Sequence, residues 1–309
     1  MIRVYLPRMA DRLADWIASM RAEDYVTAWT LSQQQLADRD PNERDDPAKP
    51  YHRRWVWDGR PYRGRHCLVR CYHGLGDTIQ FARFLPLLAA QAASLTVEVQ
   101  PRLLDMLATG LRGAVEGGIC FLPFDEAHPL PASECDLEIT ELCFALRATP
   151  AVGSLPYLSA SRGAIGRGCV AFCHQAGEWD KERAVPLEFW RPLCEQARCL
   201  TLTAEPTDLP VVNPAGCPFD MGVTASLVAA ADLVITIDTM IAHLAGAMGR
   251  PTWLLLKAEP DWRWPAGPGT TPWYRSMRIY AQPRAGDWHS VMAEVERDLA
   301  ARPAVWAER

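Results

Sequence analysis

The chain has 309 residues, enough for one large or two medium domains. Hydrophobic residues make up 49% and charged residues 22%, the balance of an ordinary globular protein with a sizeable core. The net charge of −5 argues against a broad electrostatic grip on nucleic acid, although it leaves room for a local basic pocket.

Residues 8–37 carry apolar residues at helical spacing, first Leu13, Trp16, Ile17 and Met20, then Tyr25, Ala28, Trp29 and Leu36. They predict a helical hairpin, too short to be a solenoid of stacked repeats. The charged, proline-bearing run "DRDPNERDDPAKP" follows as a linker. From residue 66 the pattern changes. "HCLVRC", "SLTVEVQ", "GICFLPF" and "CDLEIT" read as strands, with helices at about 78–91 and 101–109. Strand–helix alternation implies a parallel sheet with helices on its faces. Residues 150–167 are rich in Pro, Gly and Ser and mark a boundary. The alternation then restarts: strand "GCVAFCH", helix "LEFWRPLCEQA", strand "CLTLTA", helix "ASLVAAA", strand "DLVITI", helix "TMIAHLAGAMG" and strand "PTWLLL". A last helix, 287–301, has Asp287 as its N-cap. The expected division is a hairpin and linker over 1–50, one Rossmann-like domain over 51–155 and a second over 156–309. The fold class is α/β, with two such domains facing across a cleft.

No apolar run approaches the roughly 20 residues of a membrane helix. The start "MIRVYLPRMADRLADW" lacks a signal-peptide core, which predicts a cytoplasmic protein. None of the ten cysteines forms a C-x-x-C pair, so buried, reduced thiols are expected and no metal site.

Four stretches carry candidate chemistry. In "YHGLGDTIQFARFLPLL", a strand gives way to a glycine turn and a helix. Gly74 and Gly76 permit tight turns and close ligand approach. Asp77 is either the helix N-cap or a general base facing the cleft. Phe81, Phe84, Leu85 and Leu88 form the buried stripe, and Pro86 kinks the helix or marks its end. In "DLVITIDTMIAHLAGAMGRP", a buried strand ends at Asp238 and a helix starts near Thr239. Backbone amides near Thr239, Met240 and Ile241 would hold a diphosphate. His243 is equally a phosphate ligand or a core histidine. "HQAGEWDKERAVPLEFW" offers Lys181 and Arg183 as cations for a leaving diphosphate. "EPDWRWPAGPGTTPWYRSMRIY" packs tryptophans and arginines into one loop, which would stack a ring or anchor on the core.

The stretches "HGLGDTIQFARFLPLL", "VEVQPRLLDML", "DTMIAHLAGAMGRPTWLLL" and "PDWRW…PWYRSMRIY", in that order, resemble the heptosyltransferase family, glycosyltransferase family 9. Together with "WDGRPYRGRHCLVR" they most resemble its bacterial branch that follows tetratricopeptide repeats. The resemblance covers roughly residues 55–300. It implies a GT-B fold and inverting, metal-independent sugar transfer from a nucleotide-diphosphate sugar, ADP-heptose by family default, with no other cofactor. It implies that Asp77 is the base, and that Arg183, Asp238, Thr239, Met240 and His243 bind the donor diphosphate. Gly74, Gly76, Gln80, Lys181, Trp262 and Arg263 are further candidate contacts, and Trp190 matches a family tryptophan. The acceptor implied is a glycan, a lipid-linked glycan or a protein, with contact to the inner face of a membrane allowed and lipopolysaccharide synthesis as one setting. Met240 stands where the family carries Gly or Ala, and "HQAGEW" replaces the usual W-A-G-N-P. Two alternatives stay open: a non-catalytic nucleotide-sugar-binding protein, and a sugar-nucleotide epimerase on the same architecture.

Overall fold

The computed structural model describes residues 9–152, 156–177 and 180–302. Two sheets organise it. The first contains β1 (His66–Arg70), β2 (Ser94–Val99), β3 (Cys120–Pro123) and β4 (Cys135–Glu138), all parallel, in the order β3-β2-β1-β4. The second contains β5 (Cys169–Cys173), β6 (Arg198–Thr201), β7 (Leu233–Ile237), β8 (Thr252–Leu256), β9 (Gly269–Thr270) and β10 (Met277–Ala281), in the order β6-β5-β7-β8-β10-β9. Its first five strands in that order run parallel, and β9 pairs antiparallel at the edge. Every residue of β5, β7 and β8 is buried, as continuous apolar runs in a sheet covered on both faces require.

The strand order fixes where a ligand can sit. In each sheet the first strand in sequence has its successor on one side and a later strand on the other. Such a switch point opens a crevice beyond the carboxyl ends of the strands. It lies between β1 and β4 in one lobe, and between β5 and β7 in the other. Helix α3 (Leu75–Phe81) follows β1, with α5 (Leu104–Gly110) and α6 (Leu142–Ala145) later in the same lobe. In the second lobe α7 (Arg191–Gln196) and α8 (Met221–Ala230) precede helix α9 (Met240–Ala247), which follows β7. Helices α3 and α9 pack against each other, so the switch points face across one cleft.

The N-terminal hairpin is α1 (Met9–Arg21) and α2 (Tyr25–Ala37). It is docked on both lobes. Arg147 of the first lobe donates to the Trp29 carbonyl at 2.9 Å, and Arg21 donates to the Pro260 carbonyl of the second at 2.8 Å. Met20, Ala28 and Trp29 join the core cluster that continues through both lobes. A separate cluster on the far face of the second sheet centres on Trp190, fully buried and stacked on Phe172 at 4.8 Å.

Several expectations shift. The helix expected at 78–91 begins at Leu75 and is broken by a 3-10 turn, Ala82–Phe84, before α4 (Leu85–Ala89), where Pro86 sits in the first turn. Gly74 is therefore the N-cap, and Asp77 stands three residues into the helix. Nine of the ten cysteines are buried, while Cys120 is exposed on β3. The linker after the hairpin is held down, since Arg44 donates to the Val56 carbonyl and Asp45 N–H to that of Trp55. Residues 153–155, at the expected boundary, and Glu178 and Trp179 of the "HQAGEW" motif lie outside the described residues. No helix among the described residues is long and apolar enough to cross a membrane.

Candidate active site

A cavity of about 1620 Å³ fills the cleft. From the first lobe its walls include His73, Gly74, Gly76 and Asp77. From the second they include Arg183, Asp238, Thr239, Met240, His243, Trp262 and Arg263. The candidates drawn from four separate stretches thus meet around one space. Gln80 lies behind this wall, fully buried, with its Oε1 accepting from Arg263 Nε at 2.7 Å. Lys181 is exposed and is not part of the cavity lining.

The close approach of the lobes explains the glycine turn. A Cβ on Gly76 would fall 2.9 Å from His243 Cδ2 and 3.4 Å from Met240 Cα. Only glycine lets the start of α3 meet the start of α9 at this distance. The Asp77 carboxylate is held from two sides. Its Oδ2 accepts the Gly74 N–H at 3.1 Å, satisfying a helix-terminal donor. Its Oδ1 accepts from Arg263, whose other guanidinium nitrogen donates to Asp261 at 2.8 Å. The ion pair thus joins residues 186 positions apart and closes the floor of the cleft.

On the opposite wall, Thr239 caps α9, its hydroxyl accepting the Ile241 N–H at 3.3 Å. The cap is Thr239 and not Asp238. The first amides of such a helix have no intrahelical acceptor and carry its partial positive charge. Arg183 is buried and donates to the Asp238 carbonyl, which fixes its guanidinium beside the helix start. Burial, with Asp261 adding repulsion, pushes the Asp238 carboxyl up to about 6. His243 is a satisfied core histidine as well as a cavity wall. Its Nδ1 pairs with the Tyr274 hydroxyl at 3.0 Å, and its ring stacks on Trp264 at 5.5 Å. Burial holds it well below the usual imidazole range, so it is neutral and offers a ligand only Nε2.

His73 escaped the sequence reading although it adjoins the glycine turn. Burial opposes its charge, but Glu138, with a carboxylate oxygen 2.9 Å from Nδ1, outweighs that and raises it. Tyr274 was missed too, because its partner His243 lies 31 residues away, and so was Asp261, although its partner Arg263 is only two residues on. At another part of the cleft, Arg102 of the first lobe lies over the Phe219 ring of the second at 3.5 Å. Among the described residues, no group of three or more His, Cys, Asp or Glu side chains could hold a metal ion.

Comparison with known proteins bears on the fold. No family model matches the chain. Protein FlbA of Caulobacter vibrioides is 25% identical over 292 residues, covering 79% of this chain and 48% of that protein. The chain thus spans about half the length of the curated relative it matches. Among solved structures, the iron-containing dodecameric glycosyltransferase TibC of enterotoxigenic E. coli H10407 superposes with a TM-score of 0.51. The match has 13% identity and covers 78% of each chain. The ADP-heptose lipopolysaccharide heptosyltransferase II of E. coli gives 0.51 at 14% identity, over 76% of this chain and 98% of that one. The fold is therefore GT-B: two Rossmann-like lobes facing across a cleft, here with a helical hairpin added.

Proposed function

We propose that the protein is a family 9-type glycosyltransferase that moves a sugar from a nucleotide-diphosphate donor to an acceptor hydroxyl, with inversion. The observation that carries this reading is the meeting of Asp77, at the start of α3, with the capped start of α9 across one cleft. The donor diphosphate lies at the amides beginning with Met240, beside Arg183, where a helix terminus and a fixed cation stabilise the charge that develops on departure. Asp77 takes the acceptor proton as the hydroxyl oxygen attacks the anomeric carbon from the face opposite the diphosphate. Arg263 orients Asp77 through the ion pair. Asp238, with its carboxyl raised to about 6, is partly protonated near that pH and then hydrogen-bonds a donor oxygen without repelling it. ADP-heptose is the default donor, and a cytoplasmic setting fits a nucleotide sugar.

Two measurements test this. A thermal-shift panel of nucleotide sugars identifies the donor, since a ligand that binds only the folded state raises its apparent stability. Nucleoside diphosphate release is then followed with that donor and a pool of cell-derived acceptors. Asp77→Asn should lower turnover by about 10²–10⁴-fold while ADP affinity is retained. Normal turnover in Asp77→Asn refutes the base assignment. The pairing of Asp77 with Arg263 favours one alternative, a non-catalytic nucleotide-binding protein. Binding without donor consumption by any acceptor pool would decide for it.

A further inference from the structure

We infer that the N-terminal hairpin and the segment after it form a saccharide-binding chamber for the acceptor, continuous with the donor cleft; this rests on the glycosyltransferase reading above. The cavity of about 1620 Å³ exceeds the roughly 300–1,000 Å³ of a pocket built for one small ligand. The hairpin and the segment after it wall part of this space. There the walls are aromatic: Trp16 from α1, Trp29 from α2, Trp55 and Trp57 from the following segment, Phe144 from the first lobe and Trp262 from the second. Trp16, Trp55, Phe144 and Trp262 are only partly buried, so ring surface remains for a ligand.

The cations that line this end are already matched. Arg12 pairs with Asp38, and Arg39 pairs with Glu141 at 3.2 Å. Arg39 also lies over the Trp55 ring at 4.9 Å. An anionic ligand would have to break these pairs. A neutral sugar ring would not: its C–H face suits an aromatic surface, and its hydroxyls suit carboxylate and guanidinium edges. The chemistry therefore selects an uncharged saccharide over a phosphorylated or acidic one.

The chamber is fixed to the reacting end. Trp16 packs edge-on against Trp262 at 4.8 Å, and Trp262 precedes Arg263, which holds Asp77. Gly74, Leu75 and Asp77 line the same continuous space. A sugar stacked in the chamber thus has a path for a hydroxyl to reach the carboxylate.

The test uses the full chain, fluorescently labelled, on an array of neutral and acidic oligosaccharides with ADP present, and calorimetry with ADP in parallel. Wild type should bind neutral glycans. Trp55→Leu should weaken that signal by about tenfold, as expected for losing one stacked ring, and Trp55→Phe should recover most of it. Gln35→Trp, at an exposed position of α2 on the chamber wall, should narrow the space and weaken the same signal without removing a core side chain. ADP affinity should be unchanged in all three. Retention of only acidic glycans, or of none while ADP binds, overturns the inference. So does a signal unmoved by Trp55→Leu and Gln35→Trp. If ADP and every other nucleoside diphosphate fail to bind wild type, the donor reading falls instead.

Discussion

Replacing Gly76 with alanine tests the juxtaposition of the lobes directly. By helix propensity alone the change should stabilise, because Gly76 lies in the first turn of α3 and alanine is the better helix former by up to about 1 kcal/mol. The structure predicts the opposite sign. The new methyl would lie 2.9 Å from His243 Cδ2, 3.4 Å from Met240 Cα and 3.6 Å from Met240 N. His243 cannot swing away, being held by Tyr274 and by the Trp264 stack. The helices must separate by roughly half an ångström, and such overpacking costs about 1–3 kcal/mol. The net effect is a destabilisation of about 0–2 kcal/mol, with the methyl intruding on the amide proposed to hold the diphosphate. ADP affinity should fall by about tenfold, a fraction of what a 1 Å misplacement can cost a reacting geometry. Thermal melts and calorimetry read both effects. Gly267→Ala is the control, since a Cβ there meets nothing within 4 Å. A Gly76→Ala protein that melts above wild type and binds ADP equally well would refute the close approach.

Asp238 gives a pH prediction. Its folded carboxyl is raised from 3.8 to about 6, so the folded state holds the proton more tightly than the unfolded state between those values. Stability from this group is therefore present at low pH and lost as pH rises from about 4 to about 6. The loss is on the order of 3 kcal/mol. Denaturant melts across that window should show the slope in wild type relative to Asp238→Asn; identical pH profiles would contradict it. Arg83→Met should destabilise by about 2–5 kcal/mol, because the buried guanidinium donates to the carbonyls of Pro150 and Trp273, at 3.2 and 2.7 Å, which would be left without it. A melting temperature lowered by roughly 3–8 °C is the readout, and an unchanged one would show that Arg83 does not tie the lobes.

What was legible in the sequence was local. The apolar runs and their glycine turns carry the alternation of strand and helix, and hence both parallel sheets. The start of α9 was legible to one residue because Thr239 follows a buried strand and precedes a helical apolar stripe. The helix after β1 was harder. Gly74 caps it without a side chain, so Asp77, the one residue with capping chemistry, drew the start three residues too late. Its middle was obscured as well, because Pro86 restarts a helix after a 3-10 turn. The surroundings of His243 were not legible, since they depend on Tyr274 and Trp264, which no periodicity links to it. The chamber wall was illegible for the same reason: Trp16, Trp55 and Trp262 share no pattern and meet only in three dimensions.

Besides helix α9, the loop between β8 and β10 carries contacts of the second lobe with helix α3 and the hairpin. Trp262 receives Trp16, Arg263 takes Asp77 and Gln80, and Trp264 supports His243 beneath Gly76. Trp273 packs on Phe81 at 5.7 Å, and Tyr274 lies under Arg83 at 4.6 Å. These contacts are adjacent and share side chains, so they form and break together rather than one at a time. A hinge motion that opens the cleft must therefore separate Arg263 from Asp77 while it uncovers the start of α9. The orientation of the Asp77 carboxylate and the closure over the start of α9 are one structural event, and in the proposed reaction this confines the base to the state in which water is excluded.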